Sequence, residues 1–441
     1  MKNRYNLVFS LGIGIIYMLI AISTYVFNYT IGQYLVLYIV TYVVFVFAFL
    51  KKTRSLKILA TSLEFLYITA FSVYAIMPSI QYNMDGGMQR LRFFAITEVG
   101  VKISIRWYYV VFLILASIFL LFDYPKNKKM EMSIKNALVN AQHGRSQIIF
   151  DFIAVICLGL FLYSFLKNGI SFFELNFVYR RKQSSFSLQQ YVWLYMMVYS
   201  VEKYCEINFD KTISKKIPQV IVIITFWTLS LMIDRRHFIP VVVAIVLYYL
   251  IGSKKVDFKV VFVILLFGAV MVLYAVIRLG IKINGMSFNT FVYEGFSEFI
   301  LTGYTTIYYA THTPHSFFLG RTYLWDTITR ILPKVLFPWK PKDLAVIFMA
   351  SALDNKVGFA FNPIAEGYLN FGNWLIFFVP LFFILFIKIG YKLSKKRPIY
   401  YLLFCAYFLD FNRGQFSNCI FDILVMYAIL FLMERLKVKY D

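Results

Sequence analysis

Apolar runs dominate the chain from its first residues, and what separates them is mostly short and basic. A membrane-crossing helix needs about 20 apolar residues, or a few fewer where helices tilt or pack inside a bundle. Twelve runs meet that requirement: Leu7–Val26, Tyr34–Leu50, Ile58–Ile80, Trp107–Phe122, Ile148–Leu166, Tyr191–Glu206, Ile217–Ile233, Phe238–Ile251, Val260–Leu279, Trp374–Ile389, Ile399–Phe411 and Cys419–Met433. With Met1 inside, the inner loops become Lys51–Lys57, Lys126–Arg145, Lys203–Lys216, Lys254–Lys259, Lys388–Arg397 and the tail Glu434–Asp441. Each carries a basic cluster, as the positive-inside rule requires of a chain with both ends on the cytoplasmic side.

One long segment breaks the pattern. Residues 282–371 are polar and aromatic, lie between the ninth and tenth spans, and fall on the outer face. Within them Phe288, Phe291, Val292, Phe296, Phe299 and Ile300 recur at helical spacing with Glu294 and Glu298 opposite, which predicts an amphipathic helix along the interface or capping the bundle. A second helix is expected from Tyr323 to Leu332, with an Asp326–Arg330 pair at i,i+4 and a stop at Pro333. Pro338 and Pro341 hold the next stretch extended, and Leu344 to Ala352 reads as a further helix. No internal repeat or low-complexity linker divides the chain. The expectation is one all-α domain over 1–441, with 282–371 as its outer-face cap.

Composition turns the pattern into a class. The chain is 60% hydrophobic and only 15% charged, with a mean hydropathy of +0.69, which excludes a soluble protein of this size. The net charge of +23 does not point to nucleic acid, because the cations cluster between apolar spans rather than along one stripe. Cys157, Cys205, Cys405 and Cys419 show no CxxC spacing, so neither a disulfide framework nor a zinc site is indicated. No small-residue cleavage site follows the first apolar run, so that run is expected to stay as an anchor.

The cations differ between the two sides. The inner side holds 21 Lys and 5 Arg, and the outer side with its boundary holds 8 Lys and 11 Arg. Topology is indifferent to that choice, but a guanidinium grips phosphate or carboxylate oxygens bidentately. Arg90, Arg92, Arg180, Arg181, Arg235, Arg236, Arg278, Arg321, Arg330 and Arg413 are therefore candidate ligand contacts. Arg235, Arg236, Arg278 and Arg413 stand out because they sit at the ends of apolar spans, where charge is costly. Arg90, Arg92 and Arg330 fit an ordinary solvated surface as well.

Absent motifs narrow the chemistry. There is no GxxxxGK[ST] phosphate loop, no GxGxxG after a strand and no Asp-x-Asp, which argues against a built-in ATPase, a dinucleotide enzyme and a carboxylate-held divalent metal. No cofactor is expected. His312 and His315 form an HxxH interrupted by Pro314 and without an obvious third ligand, so no metal site is assigned. His237, directly after Arg235-Arg236, is better placed to accept a proton at the membrane surface.

The remaining strings carry a resemblance. They are Leu319-Gly320-Arg321-Thr322-Tyr323 leading to Ile331-Leu332-Pro333, Phe337-Pro338-Trp339-Lys340-Pro341, Glu366-Gly367-Tyr368-Leu369-Asn370-Phe371-Gly372, Asp234-Arg235-Arg236 at the start of a span, and Arg413-Gly414 before the last one. Together with the hydropathy layout they resemble the Wzy-type O-antigen and oligosaccharide repeat-unit polymerases of bacteria. The paired arginine-to-glycine spacing in the outer loops of some members is absent here, so their catch-and-release mechanism is not carried over.

The resemblance implies a ligase/polymerase-type GT-C fold in the bacterial inner membrane, with undecaprenyl-diphosphate-linked oligosaccharides as donor and acceptor and a Wzz-type chain-length regulator as a possible partner. It implies metal-independent glycosyl transfer at the outer face. Such a reaction needs cations for the departing diphosphate, and Arg235, Arg236, Arg278 and Arg413 are assigned there, with Arg180, Arg181 and Arg321 in reserve. It also needs a base, for which Glu366 comes first and His237 or Asp410 second. Glu366 has an equally weighted alternative, a salt bridge to an outer arginine. Trp325, Trp339, Tyr323 and Tyr368 could stack on sugar faces, although aromatic belts are common at interfaces. An O-antigen ligase shares this layout and is the nearest rival; a lipid-linked oligosaccharide flippase is less well matched, because the spans are poor in charge and the outer loop is one-sided.

Overall fold

The computed structural model describes residues 2–84, 96–121, 147–167, 189–210, 216–233, 237–252, 262, 268–269, 288–331, 337–352 and 360–438. Among these the secondary structure is helical, with no strand. An apolar chain that must satisfy its own backbone polar groups away from water has few other solutions. The helices are α1 (Lys2–Val26), α2 (Ile31–Thr53), α3 (Leu56–Ala60), α4 (Leu63–Met84), α5 (Glu98–Leu121), α6 (Gln147–Lys167), α7 (Gln189–Asp210), α8 (Ile217–Ile233) and α9 (Phe238–Gly252). They continue as α10 (Phe288–Gly295), α11 (Ser297–Thr311), α12 (Arg321–Ile331), α13 (Leu344–Ala352), α14 (Pro363–Phe371), α15 (Leu375–Lys396), α16 (Pro398–Ala406), α17 (Phe408–Phe411) and α18 (Phe416–Val438).

Five stretches are long and apolar enough to cross a membrane: Ile31–Thr53, Leu63–Met84, Glu98–Leu121, Pro363–Lys396 and Phe416–Leu436. Shorter apolar helices occupy Leu11–Val26, Ile148–Ser164, Ile217–Leu231 and Phe238–Ile251. The chain is thus an all-helical protein with several helices fit for a membrane. The expected eleventh span is broken, as α16 ends at Ala406 and α17 starts afresh at Phe408. The ninth, Val260–Leu279, lies almost wholly outside the described residues.

Contacts divide the chain into two compact units, Met1–Pro125 with Met286–Lys388 and Phe408–Phe421, and Lys126–Gly285 with Ile389–Tyr407 and Asp422–Asp441. In the first unit α1, α2, α4 and α5 pack together, and α11 joins α4 and α5. Small residues allow that close approach: a Cβ on Gly303 would run into the Pro78 ring, and one on Gly100 would lie 3.0 Å from the Ile307 carbonyl oxygen. Tyr304 then donates to Gln81 across the same seam. The stretch read as one amphipathic interfacial helix is therefore two helices, broken at Phe296, and the second is buried along Ile300, Tyr304 and Ile307. The glycines and the polar seam explain why: both require a helix neighbour rather than a lipid surface.

Asn362 ties α11 to α14. Its Oδ1 accepts from the Ala365 amide at 2.9 Å, capping α14 ahead of Pro363, and from the Thr306 hydroxyl at 2.9 Å. Its Nδ2 donates to the Thr302 carbonyl at 2.7 Å and to Thr305 Oγ1 at 2.6 Å.

The second unit has its own buried polar centre. Lys203 Nζ lies 3.2 Å from Asp151 and 3.3 Å from Glu206, and Tyr199 and Gln219 donate to Asp151 at 2.8 and 2.9 Å. A buried ammonium so surrounded is compensated on every side. Asp422 accepts from Tyr407 at 2.6 Å and Gln190 at 3.1 Å. All four cysteines are buried and unbridged.

Gly303→Val is expected to force α11 off Pro78 and to cost about 1–3 kcal/mol, the usual penalty of overpacking. The measurement is the thermal melting point in detergent, against Gly12→Val, where an added Cβ meets open space. Equal melting points for the two variants would show that the α4–α11 seam is loose.

Candidate functional site

Three segments distant in sequence meet at one carboxylate in the first unit. Asn362 and Pro363 set the start of α14, which places Glu366 in its first turn. Leu319 and Gly320, at φ 48° and 84°, turn the chain into α12, and the amides of Phe318 and Leu319 dock on the carbonyls of Leu369 and Asn370 at 2.9 and 3.0 Å. That docking brings Thr322 over Glu366. The turn after Arg413-Gly414 supplies the start of α18, with the Phe416 amide pointing at the same side chain.

Glu366 is 1% exposed. Its Oε1 accepts from the Thr322 hydroxyl at 2.6 Å and its Oε2 from the Phe416 amide at 2.8 Å, the latter a helix N-terminal donor suited to an anion. Asn370 locks the arrangement, donating to Thr322 Oγ1 at 2.7 Å and to the Glu366 carbonyl at 2.8 Å. Both partners of the carboxylate are neutral. The salt bridge to an outer arginine, weighed equally with catalysis in the sequence, is not the arrangement found among the described residues.

Glu366, Tyr323, Gly414 and Phe416 border a cavity of about 10 Å³ walled by Phe382 and Phe411, room for about one water. The Tyr323 hydroxyl is buried there without a hydrogen-bond partner among the described residues. Burial, and then the nearby Glu366 charge, push that phenol well above its ordinary range.

A second polar cluster lies along α12. Asp326 is buried, accepts from Gln415 at 3.3 Å and lies 3.7 Å from the Arg321 guanidinium. Gln415 in turn accepts from the Leu344 amide at 3.0 Å, fixing the start of α13. The expected Asp326–Arg330 pair gives way to another one, because Arg330 reaches Asp343 with both terminal nitrogens. The proline-rich stretch Phe337–Asp343 brings a carboxylate within fork geometry, which a one-turn helical neighbour does not match. Burial pushes the Asp326 carboxyl above the usual carboxylate range, opposed by Arg321, Gln415 and Arg330.

The other expected residues fall as follows. Arg413 pairs with Glu298 at 2.8 Å, so its guanidinium is engaged by a carboxylate. Arg321 is partly exposed and lies over the Phe318 ring at 4.3 Å. Asp410 is buried, and its carbonyl accepts from the Arg413 amide at 3.2 Å. His237 belongs to the second unit, buried and stacked on Trp193 with ring centres 4.1 Å apart. Trp325 and Trp339 stand half-exposed and near-parallel at 6.1 Å, an open aromatic platform. Tyr323 and Tyr368 depart from the expected sugar-stacking role: their rings are buried against Phe382 at 4.0 Å and Trp107 at 4.7 Å. Arg180, Arg181, Arg235, Arg236 and Arg278 lie outside the described residues, as do Arg90 and Arg92.

The roles of Thr322, Asn370 and Gln415 were missed in the sequence, although all three sit in or beside the quoted strings. Asn362-Pro363 carried a readable signal, a side-chain cap followed by proline at the first helical position. Arg106, which directly precedes the apolar run Trp107–Phe122, was not singled out.

Asp326→Asn gives a pH test with a defined sign. A carboxyl whose folded value is raised favours the fold below its ordinary value and loses that contribution as pH rises through the raised one. The stability of the wild type should therefore fall relative to Asp326→Asn as pH climbs from about 4, read as the difference in melting point between the two proteins. A difference independent of pH would mean that the acid is not held in a disfavoured charged state.

Comparison of the chain with protein-family models, with curated proteins and with solved structures returns no match.

Proposed function

We propose that this protein is a polytopic glycosyltransferase of the bacterial inner membrane that joins undecaprenyl-diphosphate-linked oligosaccharide units into a surface polysaccharide. The observation that carries the reading is Glu366: a fully buried carboxylate held by two neutral donors, beside a small cavity, in the segment assigned to the outer face. Carboxylates in apolar surroundings without a cation are costly and mark function by default. The twelve-span layout, the cytoplasmic termini and a ligase/polymerase-type GT-C fold belong to the same proposal.

In the reaction, a hydroxyl of the acceptor unit attacks the anomeric carbon of the donor chain. The new C–O bond forms as the bond to the diphosphate breaks, and the diphosphate leaves with the electron pair. Glu366 takes the hydroxyl proton as general base. Arginines balance the charge that develops on the leaving group, with Arg235, Arg236 and Arg278 in that role and Arg413 joining once Glu298 is released. The partly exposed Arg321 is held in reserve, as are Arg180 and Arg181. Trp325 and Trp339 offer their faces to sugar rings. A cavity that holds about one water admits no sugar, so the acceptor enters when α12 and the Arg413–Gln415 turn move apart.

The test is purified protein with a synthetic lipid-linked repeat unit, and products separated by length. A ladder is expected that persists in EDTA. Glu366→Gln, which keeps an acceptor and the side-chain volume, should slow it by about 10²- to 10⁴-fold, the usual contribution of a general base, with the melting point retained. An undiminished ladder in that variant would remove Glu366 from the chemistry. Transfer only to a lipid A core, or only movement of lipid across vesicles, would replace the polymerase by a ligase or a flippase.

A further inference from the structure

The outer end of the first unit holds a second cationic feature that the transfer reaction does not use. Arg106 lies within the apolar helix α5, eight residues after its start at Glu98. Its Nε is buried without a hydrogen-bond partner among the described residues, and its guanidinium carbon lies 5.1 Å from the centre of the Tyr25 ring. Lys102, one turn earlier, donates to Asn28 Oδ1 at 2.5 Å. Both cations line a cavity of about 410 Å³ at the ends of α1 and α5 and the start of α2, and none of its lining residues is acidic.

An arginine inside a membrane helix normally finds a carboxylate or a carbonyl, and here the cavity offers neither to Nε. The nearby side-chain acceptors bond elsewhere, the Tyr34 hydroxyl donating to the Thr24 carbonyl at 3.2 Å and Asn28 Oδ1 accepting from Lys102, and neither pairs with Nε among the described residues. The remaining donors of a guanidinium and an ammonium, one helical turn apart, suit an oxyanion with several acceptor oxygens. The walls give the second half of the ligand. Tyr25, Val26, Phe27 and Val99 are each half or more exposed, so whatever binds the cations lies against apolar surface.

We propose that this cavity binds the phosphate of a lipid, with Arg106 and Lys102 on the phosphate oxygens and the acyl or prenyl chain along Val26, Phe27 and Val99. The site is distinct from the Glu366 cluster, and the inference does not rest on the transferase reading. A bulk phospholipid and a lipid-linked substrate share the chemistry that the site recognises.

The experiment uses the full chain, delipidated and returned to phosphatidylcholine nanodiscs, with phosphatidylglycerol, undecaprenyl diphosphate or inorganic phosphate added in separate arms. Native mass spectrometry after release counts retained ligand. One anionic lipid per chain is expected, reduced about tenfold in Arg106→Gln, as the loss of a charge-assisted hydrogen-bonding group predicts, and partly restored in Arg106→Lys. Val99→Glu places an acid on an exposed wall residue, leaves the half-buried arginine in place, and should lower retention to a similar degree if Arg106→Gln does not fold. Retention of phosphatidylglycerol identifies a bulk-lipid site, and selective retention of undecaprenyl diphosphate identifies a carrier-lipid site; either supports the proposal. Binding of inorganic phosphate without either lipid, no retained ligand at all, or retention unchanged in both Arg106→Gln and Val99→Glu would overturn it.

Discussion

A polar side chain buried in an apolar helical bundle persists only when its hydrogen bonds are made inside the protein. Asn362 meets that demand on four counts, with the Ala365 amide, the Thr306 and Thr305 hydroxyls and the Thr302 carbonyl. One amide thereby sets the start of α14 and its position on α11. Thr322, Asn370 and Glu366 repeat the logic one turn further on, joining α12, α14 and the start of α18. The apolar packing around them is adaptable, whereas these bonds admit one geometry.

Three carboxylates in the same unit show what distinguishes Glu366. Glu298 has the Arg413 guanidinium at 2.8 Å and Asp326 has Arg321 at 3.7 Å. Their charges are balanced by cations, as buried or half-buried ions generally are. Glu366 is the most deeply buried of the three and has only a hydroxyl and a backbone amide. A carboxylate placed for stability alone would be served better by a cation or replaced by an apolar residue. A hydroxyl and an amide favour the anion, as a cation would, but neither brings the fixed positive charge that Glu298 and Asp326 have beside them.

Apolar helices and the helix Leu344–Ala352 were legible in the sequence, because each is written in neighbouring residues: apolar length, and a run between prolines. The pairings were not. Arg330 was assigned to Asp326 one turn away, yet it reaches Asp343 thirteen residues on, a pairing that local spacing does not encode. The helix that follows the break at Phe296 packs inward where Gly303 meets Pro78, a contact 225 residues apart in the chain. Glu366 was singled out as the first candidate base, but its partners come from three segments, and only the fold brings those together.

The excess of arginine over lysine on the outer side resolves into two physical uses. Among the described residues Arg321, Arg330 and Arg413 all face carboxylates, at distances that suit a guanidinium fork or a single charged contact. These arginines tie that segment to its carboxylates, and any one of them takes up a phosphate only by exchanging one anion for another. For Arg413 that exchange is feasible in principle, because a diphosphate offers more charge and more acceptor oxygens than the Glu298 carboxylate. Arg106, with no carboxylate beside it among the described residues, is open to an anion with no such exchange.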